Sequence, residues 1–205
     1  MTPRTAERIT IEGPVGPIEV VSNVPGGALA GIALVAHPHP LQGGTLDNKV
    51  AQTLAKTFHA LGYAAVRFNF RGVGASAGTF DDGIGETDDA LVVLANAKAR
   101  FGEDLPVVLA GFSFGSFVQT RVAKALQAQR LVLVGPAVRR FAVDDVPEDT
   151  IVIHGESDDV VPLADVLDWA RPFELPVVVF PGCGHFFHGR LVQLQKVITG
   201  MWQRT

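Results

Sequence analysis

The chain holds a single cysteine, Cys183, among 205 residues. One thiol cannot close an internal disulfide or build a thiolate-rich zinc or iron–sulfur site, so stability has to come from packing. Basic residues are also few. Seventeen Lys and Arg stand against 21 Asp and Glu, a formal charge of −4, and nowhere do the cations form a block; this speaks against a nucleic-acid partner. Long apolar runs are missing as well. Gly31 to Ala36 and Val177 to Phe180 are of strand length, far below the roughly 18 residues of a membrane span. The first eight residues mix charges and lack the apolar core of a secretory signal. No internal repeat or low-complexity tract occurs. A cytoplasmic protein without membrane or nucleic-acid partners is the expectation.

What the chain does have is apolar content, 47% of its residues, enough to bury one substantial core; residues 1–205 are expected to form a single domain. Ile9 to Glu12 and Pro17 to Val21, parted by Gly13-Pro14-Val15-Gly16, read as an edge hairpin. Strand and helix patterns then alternate. Apolar strands are expected at 31–36, 64–68, 107–110, 131–134, 151–154 and 177–180, with helices at 46–61, 87–100, 116–128, 162–170 and from about 191 onward. Gly62 sits where a left-handed helix terminus belongs. The 16 residues 135–150 are too few for a lid domain. This βαβα order specifies an α/β fold, a mostly parallel sheet with helices on both faces.

One stretch stands out within that order. Gly111-Phe112-Ser113-Phe114-Gly115 joins the strand ending at Ala110 to the helix expected from Ser116. A strand that turns so sharply into a helix pushes its apex residue toward positive φ and crowds neighbouring backbone, which glycines two before and two after relieve. A G-x-S-x-G can arise by chance in a chain with 22 glycines; its place between strand and helix makes Ser113 a candidate nucleophile.

A serine hydroxyl needs a base, and the base needs an orienting acid. Ligands of such sheets gather at the carboxyl ends of the strands, so the loops there supply the candidates. His185, in a glycine-flanked loop after the last strand, is the best base; His188, at the start of the final helix, is a weaker competitor. His59 lies in a helix, and His154 ends a strand as a packed, hydrogen-bonded residue. For the acid, the loop after 151–154 offers Glu156, Asp158 and Asp159, and spacing does not choose between the two aspartates. Either could instead be a turn residue bonding nearby amides.

These residues resemble the α/β-hydrolase superfamily, and more narrowly its small, lid-free bacterial serine hydrolases and esterases related to the dienelactone hydrolases. The resemblance rests on Ala36-His37-Pro38-His39-Pro40, on Gly43 to Val50, and on Arg67-Phe68-Asn69-Phe70-Arg71-Gly72-Val73-Gly74. It continues through Gly111 to Gly115, His154-Gly155 with Asp158 and Val161-Pro162, and Pro181-Gly182-Cys183-Gly184-His185. It implies a single-domain α/β-hydrolase fold with the serine, acid, histidine order of that superfamily. Its H-G-x-x-D-x-x-V-P pattern places the acid on Asp158. Asn69 and Arg71 then belong to a turn that braces the site. The nucleophile is serine here and cysteine in the dienelactone hydrolases, so lactone specificity does not carry over.

An oxyanion site needs backbone amides, one from Phe114, after the nucleophile, and one from the loop after strand 31–36. Pro38 and Pro40 have no N–H, which leaves His39 as the donor between them. Phe112, Phe114, Phe186 and Phe187 suggest a shallow apolar rim suited to short acyl groups. The expected function is hydrolysis of small carboxylic esters by Ser113, His185 and Asp158, without metal or other cofactor. A thioesterase, lactonase or peptidase would use the same three residues. A ligand-binding protein on the same scaffold is the non-enzymatic alternative, against which every catalytic position is filled. Cys183 reads as a small loop residue. Neither the physiological substrate nor the oligomeric state is written in any motif.

Overall fold

A strand covered on both sides has no face left for polar residues, and Gly31–Ala36 shows the outcome: all six residues are buried. Alternate side chains serve opposite layers. Ala33 and Val35, with Val108, Ala110, Val132 and Val134 of the neighbouring strands, face one apolar layer; Ile32, Leu34, Leu109, Leu131 and Leu133 face the other. The structure, a computed structural model, describes residues 6–126, 128, 130–143 and 146–202.

The strands are β1 (Glu7–Gly13), β2 (Gly16–Asn23), β3 (Gly31–Ala36), β4 (Tyr63–Phe68), β5 (Val107–Phe112), β6 (Arg130–Val134), β7 (Ile151–Gly155) and β8 (Val177–Phe180). They form one sheet in the order β1-β2-β4-β3-β5-β6-β7-β8. The β1–β2 and β2–β4 pairings are antiparallel; those from β4 to β8 are parallel. Helices α1 (Lys49–Ala60) and α5 (Leu191–Trp202) pack on one face through Leu54, Phe58, Leu194 and Ile198. On the other lie α2 (Ile84–Phe101) and α3 (Phe114–Ala125), through Val93, Leu94, Val118 and Val122. Helix α4 (Leu163–Ala170) covers β7 with Val166 and Ala170. Among the described residues no lid domain is inserted.

Helix starts differ from the sequence expectation where polar residues set them. Helix α1 begins at Lys49, after Leu46, because the Asn48 side chain accepts the Val50 and Ala51 N–H groups at 2.9 and 3.3 Å. Helix α2 begins three residues before Thr87. Gly83 is left-handed there, and the Glu86 carboxylate accepts the Gly83 and Asp81 N–H groups at 2.9 and 3.0 Å. Helix α3 starts at Phe114, directly on the serine, and stops at Ala125 rather than Ala128. Gly62 is left-handed, as its place after α1 requires.

Candidate active site

Strand β5 runs straight through Phe112, and α3 begins at Phe114, so Ser113 carries the whole change of direction with φ 56° and ψ −118°. Such a conformation is strained for a residue with a Cβ. Its neighbours hold it: the Ser113 N–H donates to Val134 O at 2.9 Å, and Ser116 Oγ donates to Gly111 O at 2.9 Å. Gln119, one turn along α3, donates through Nε2 to Leu34 O at 2.8 Å and to Ala110 O at 3.1 Å. The helix beneath the serine is thereby tied to both β3 and β5.

The loops after β7 and β8 bring the other two groups to this point. His185 Nε2 lies 3.1 Å from Ser113 Oγ, and its Nδ1 lies 2.7 Å from Asp158 Oδ2. A proton on Nδ1 is the one the carboxylate accepts, which leaves the Nε2 lone pair facing the hydroxyl. The Asp158 Oδ1 atom accepts the Val160 and Val161 N–H groups at 2.9 and 2.8 Å. Burial pushes the Asp158 carboxyl up; the His185 hydrogen bond, the Val161 amide and the nearby imidazoles outweigh it and hold the group below its ordinary value. Asp159 is exposed. His188 is also exposed, stacked on Phe186 with ring centres 5.8 Å apart. Of the sequence candidates, the structure thus gathers Ser113, Asp158 and His185.

His154 is fully buried with Nε2 2.8 Å from Val161 O and 3.4 Å from Asp158 Oδ2. It is a packed, bonded residue as expected, and it also backs the acid, which the sequence did not signal. Burial lowers its pKa, against the pull of the Val161 carbonyl and Asp158.

Phe114 occupies the first position of α3, where a backbone N–H has no intrahelical partner. His39 follows β3 and lies with its ring centre 5.1 Å from that of Phe114. Among the described residues no hydrogen bond takes the N–H of either. The loop holding His39 is fixed from behind. His37 Nε2 accepts the Phe70 N–H at 3.0 Å and Nδ1 lies 2.7 Å from Pro38 O, while the His39 carbonyl accepts the Gln42 and Gly44 N–H groups. Asn69 bridges to it, accepting the Leu46 N–H at 2.8 Å and donating to Glu19 at 2.7 Å. Arg71 makes a two-pronged, buried pair with Asp89, both contacts at 2.9 Å. Asn69 and Arg71 do brace loops.

Ser113 opens into a cavity of about 430 Å³ lined by His39, Phe114, Ala137, Arg140, Phe141 and Val160, among others. Two expectations need correction here. Phe112, Phe114 and Phe187 are wholly buried, Phe112 against the His185 ring, Phe114 among Phe70, Phe80 and Phe141 and Phe187 in the core beneath β8, so none of the three side chains forms a rim. Phe186 is 47% exposed, but it borders a separate hollow on the far side of the His185 loop. The cavity wall comes instead from the segment after β6. No periodicity marks Ala137 to Phe141, whose turn is closed by the Phe141 N–H to Ala137 O at 3.2 Å, so its position carries no signal in the sequence. Cys183 is buried, and burial pushes its thiol pKa up, in keeping with a packing role.

Comparison with known proteins places the chain in a family. Residues 41–147, which include the serine turn but end before Asp158 and His185, match the family described as serine aminopeptidase, S33. An α/β serine hydrolase homologue from Coxiella burnetii superposes with a TM-score of 0.89 at 38% identity, covering 97% of this chain and 98% of the other. XC6422 from Xanthomonas campestris, an α/β serine hydrolase without a lid, gives 0.91 at 36% identity over 100% and 96%. The lysophosphatidylserine lipase ABHD12 of Rattus norvegicus is 30% identical over 161 residues, 75% of this chain; the chain spans 35% of that longer protein. The chain belongs to the serine aminopeptidase S33 family of the α/β-hydrolase superfamily, and is a lid-free hydrolase of that fold.

Proposed function

We propose that this hydrolase is a serine esterase that cleaves small carboxylic esters through an acyl-enzyme, acting on small molecules in the cytoplasm. The observation that carries the reading is the unbroken chain from Ser113 Oγ through His185 to Asp158, at 3.1 and 2.7 Å, opening on the cavity. Ser113 Oγ attacks the carbonyl carbon while its proton passes to His185 Nε2. The Phe114 and His39 N–H groups receive the developing oxyanion. Collapse of that intermediate expels the alcohol, which takes the proton from Nε2; water then attacks the acyl-enzyme, again losing its proton to His185, and the acid departs. Asp158 keeps the imidazole in the required tautomer and stabilises it when charged. Each oxyanion donor is worth about 10²–10³ in kcat. An ester substrate is also supported by the lipase named among the relatives. The kinship to dienelactone hydrolases rests on the sequence motifs alone.

A fluorophosphonate tests this reading. Folded wild-type protein should gain the mass of one adduct on Ser113, and Ser113→Ala should gain none. In a panel of esters, acetate and butyrate should turn over faster than long-chain acyl groups. Folded protein that neither labels nor hydrolyses any ester would sink the proposal.

A further inference from the structure

Hydrolysis as described uses three side chains and two amides, yet the cavity at Ser113 is also lined by two consecutive cations, Arg139 and Arg140. The turn that presents them is pinned at Ala137, whose carbonyl accepts the Arg140 N–H at 3.3 Å and the Phe141 N–H at 3.2 Å. Among the described residues the Arg140 side chain has no ion pair or hydrogen bond. Arg139 has one loose contact, Nε 3.7 Å from Asp165 Oδ2, on a side chain 68% exposed, and such a pair contributes little. Arg140 is close enough to the cavity floor to be felt there. After burial, it is the Arg140 charge that disfavours protonation of His39, with Asp82 pulling the other way. An unpaired Arg140 guanidinium beside a nucleophile, with the loosely paired Arg139 next to it, is a ready fork for an anion in an otherwise acidic protein, and the adjoining Phe141 and Val160 offer apolar contact to a short carbon chain.

We infer that the natural substrate carries a second, anionic group, a carboxylate or a phosphate, which Arg139 and Arg140 hold while Ser113 attacks the ester. The inference rests on the esterase reading. A cavity of about 430 Å³ lies toward the lower end of small-molecule sites, which suits a short spacer between ester and anion.

The test compares one skeleton with and without charge, measured as kcat/KM by methanol release: monomethyl adipate against dimethyl adipate. Methyl 4-(phosphonooxy)butanoate against methyl 4-hydroxybutanoate forms the phosphate arm. The better arm identifies the anion. Wild type should favour the anionic ester by about tenfold at low salt, the scale of one hydrogen bond to a charged group, and high salt should shrink the ratio. In the Arg139→Glu/Arg140→Glu variant the ratio should fall below one, and Arg140→Lys should keep part of it. A wild-type ratio at or below one in both arms overturns the inference without recourse to any variant, as does a preference that survives the double variant. If Ser113 labels with fluorophosphonate and the neutral esters turn over while the ratio stays at one, the esterase reading stands and the anion site falls. If no ester is cleaved and Ser113 does not label, both fall.

Discussion

Gly111 and Gly115 lie backbone against backbone: a Cβ on Gly111 would overlap the carbonyl of Gly115, and a Cβ on Gly115 would overlap the carbonyls of Ala36 and His37. The pair closes the turn that carries Ser113 and seats the turn on the end of β3. Both obstacles are main chain, which cannot rotate away as a flexible side chain can. Gly111→Ala and Gly115→Ala should each lower stability by about 1–3 kcal/mol, the usual range for overpacking, with a lower urea midpoint and little change in m-value. A midpoint equal to wild type would show that the backbone opens freely at this turn.

Asp158→Asn should keep the fold, because an amide oxygen can still accept the Val160 and Val161 N–H groups. It can then present its NH₂ to His185 and select the wrong tautomer. Ester turnover should fall by about 10⁴ in kcat, with circular dichroism and thermal midpoint close to wild type. A drop below tenfold would remove Asp158 from the role proposed for it.

His37 makes stability sensitive to acid. Its ring is fully buried, and burial lowers its pKa from the ordinary 6.5 to about 4 despite the Pro38 carbonyl, which favours the charged form. With the folded pKa depressed, the unfolded chain binds the proton first as pH falls. The contribution is therefore fully present above about pH 6.5 and drains away between there and about pH 4, a loss of about 3 kcal/mol. Urea midpoints measured across that window should decline, and His37→Gln, which can accept the Phe70 N–H but does not titrate, should flatten the slope. Equal slopes in the two proteins would exclude His37 as the source.

The parallel strands were legible because burial on both faces leaves nearly unbroken apolar runs, and the serine turn was legible because steric crowding admits so few residues beside Ser113. The starts of α1 and α2 were missed although Asn48, Gly83 and Glu86 are written in the sequence; the apolar pattern set α1 three residues too early, before its Asn48 cap, and α2 three residues too late, after its Gly83 cap. Asp158 and Asp159 are chemically alike, and only the path of the loop decides that one is buried against His185 and the other faces water. The same holds for Phe187. Its φ of 52° turns it into the core, a direction that no local pattern encodes. Arg139, Arg140 and Phe141 reach the cavity through a turn without regular structure, so the wall of the site is the part that sequence described least.

The double hydrogen bond from Gln119 to Leu34 O and Ala110 O anchors the strand that leads to His39 and the strand that leads to Ser113 to a single side chain. The turn at Ser113 and the loop at His39 are thereby tied to one helix, while residues 135–143 lie outside that brace. In the function proposed above, chemistry and recognition fall on separate segments: the contacts inferred to choose a substrate can be redrawn along one surface turn without moving the residues proposed to cut it.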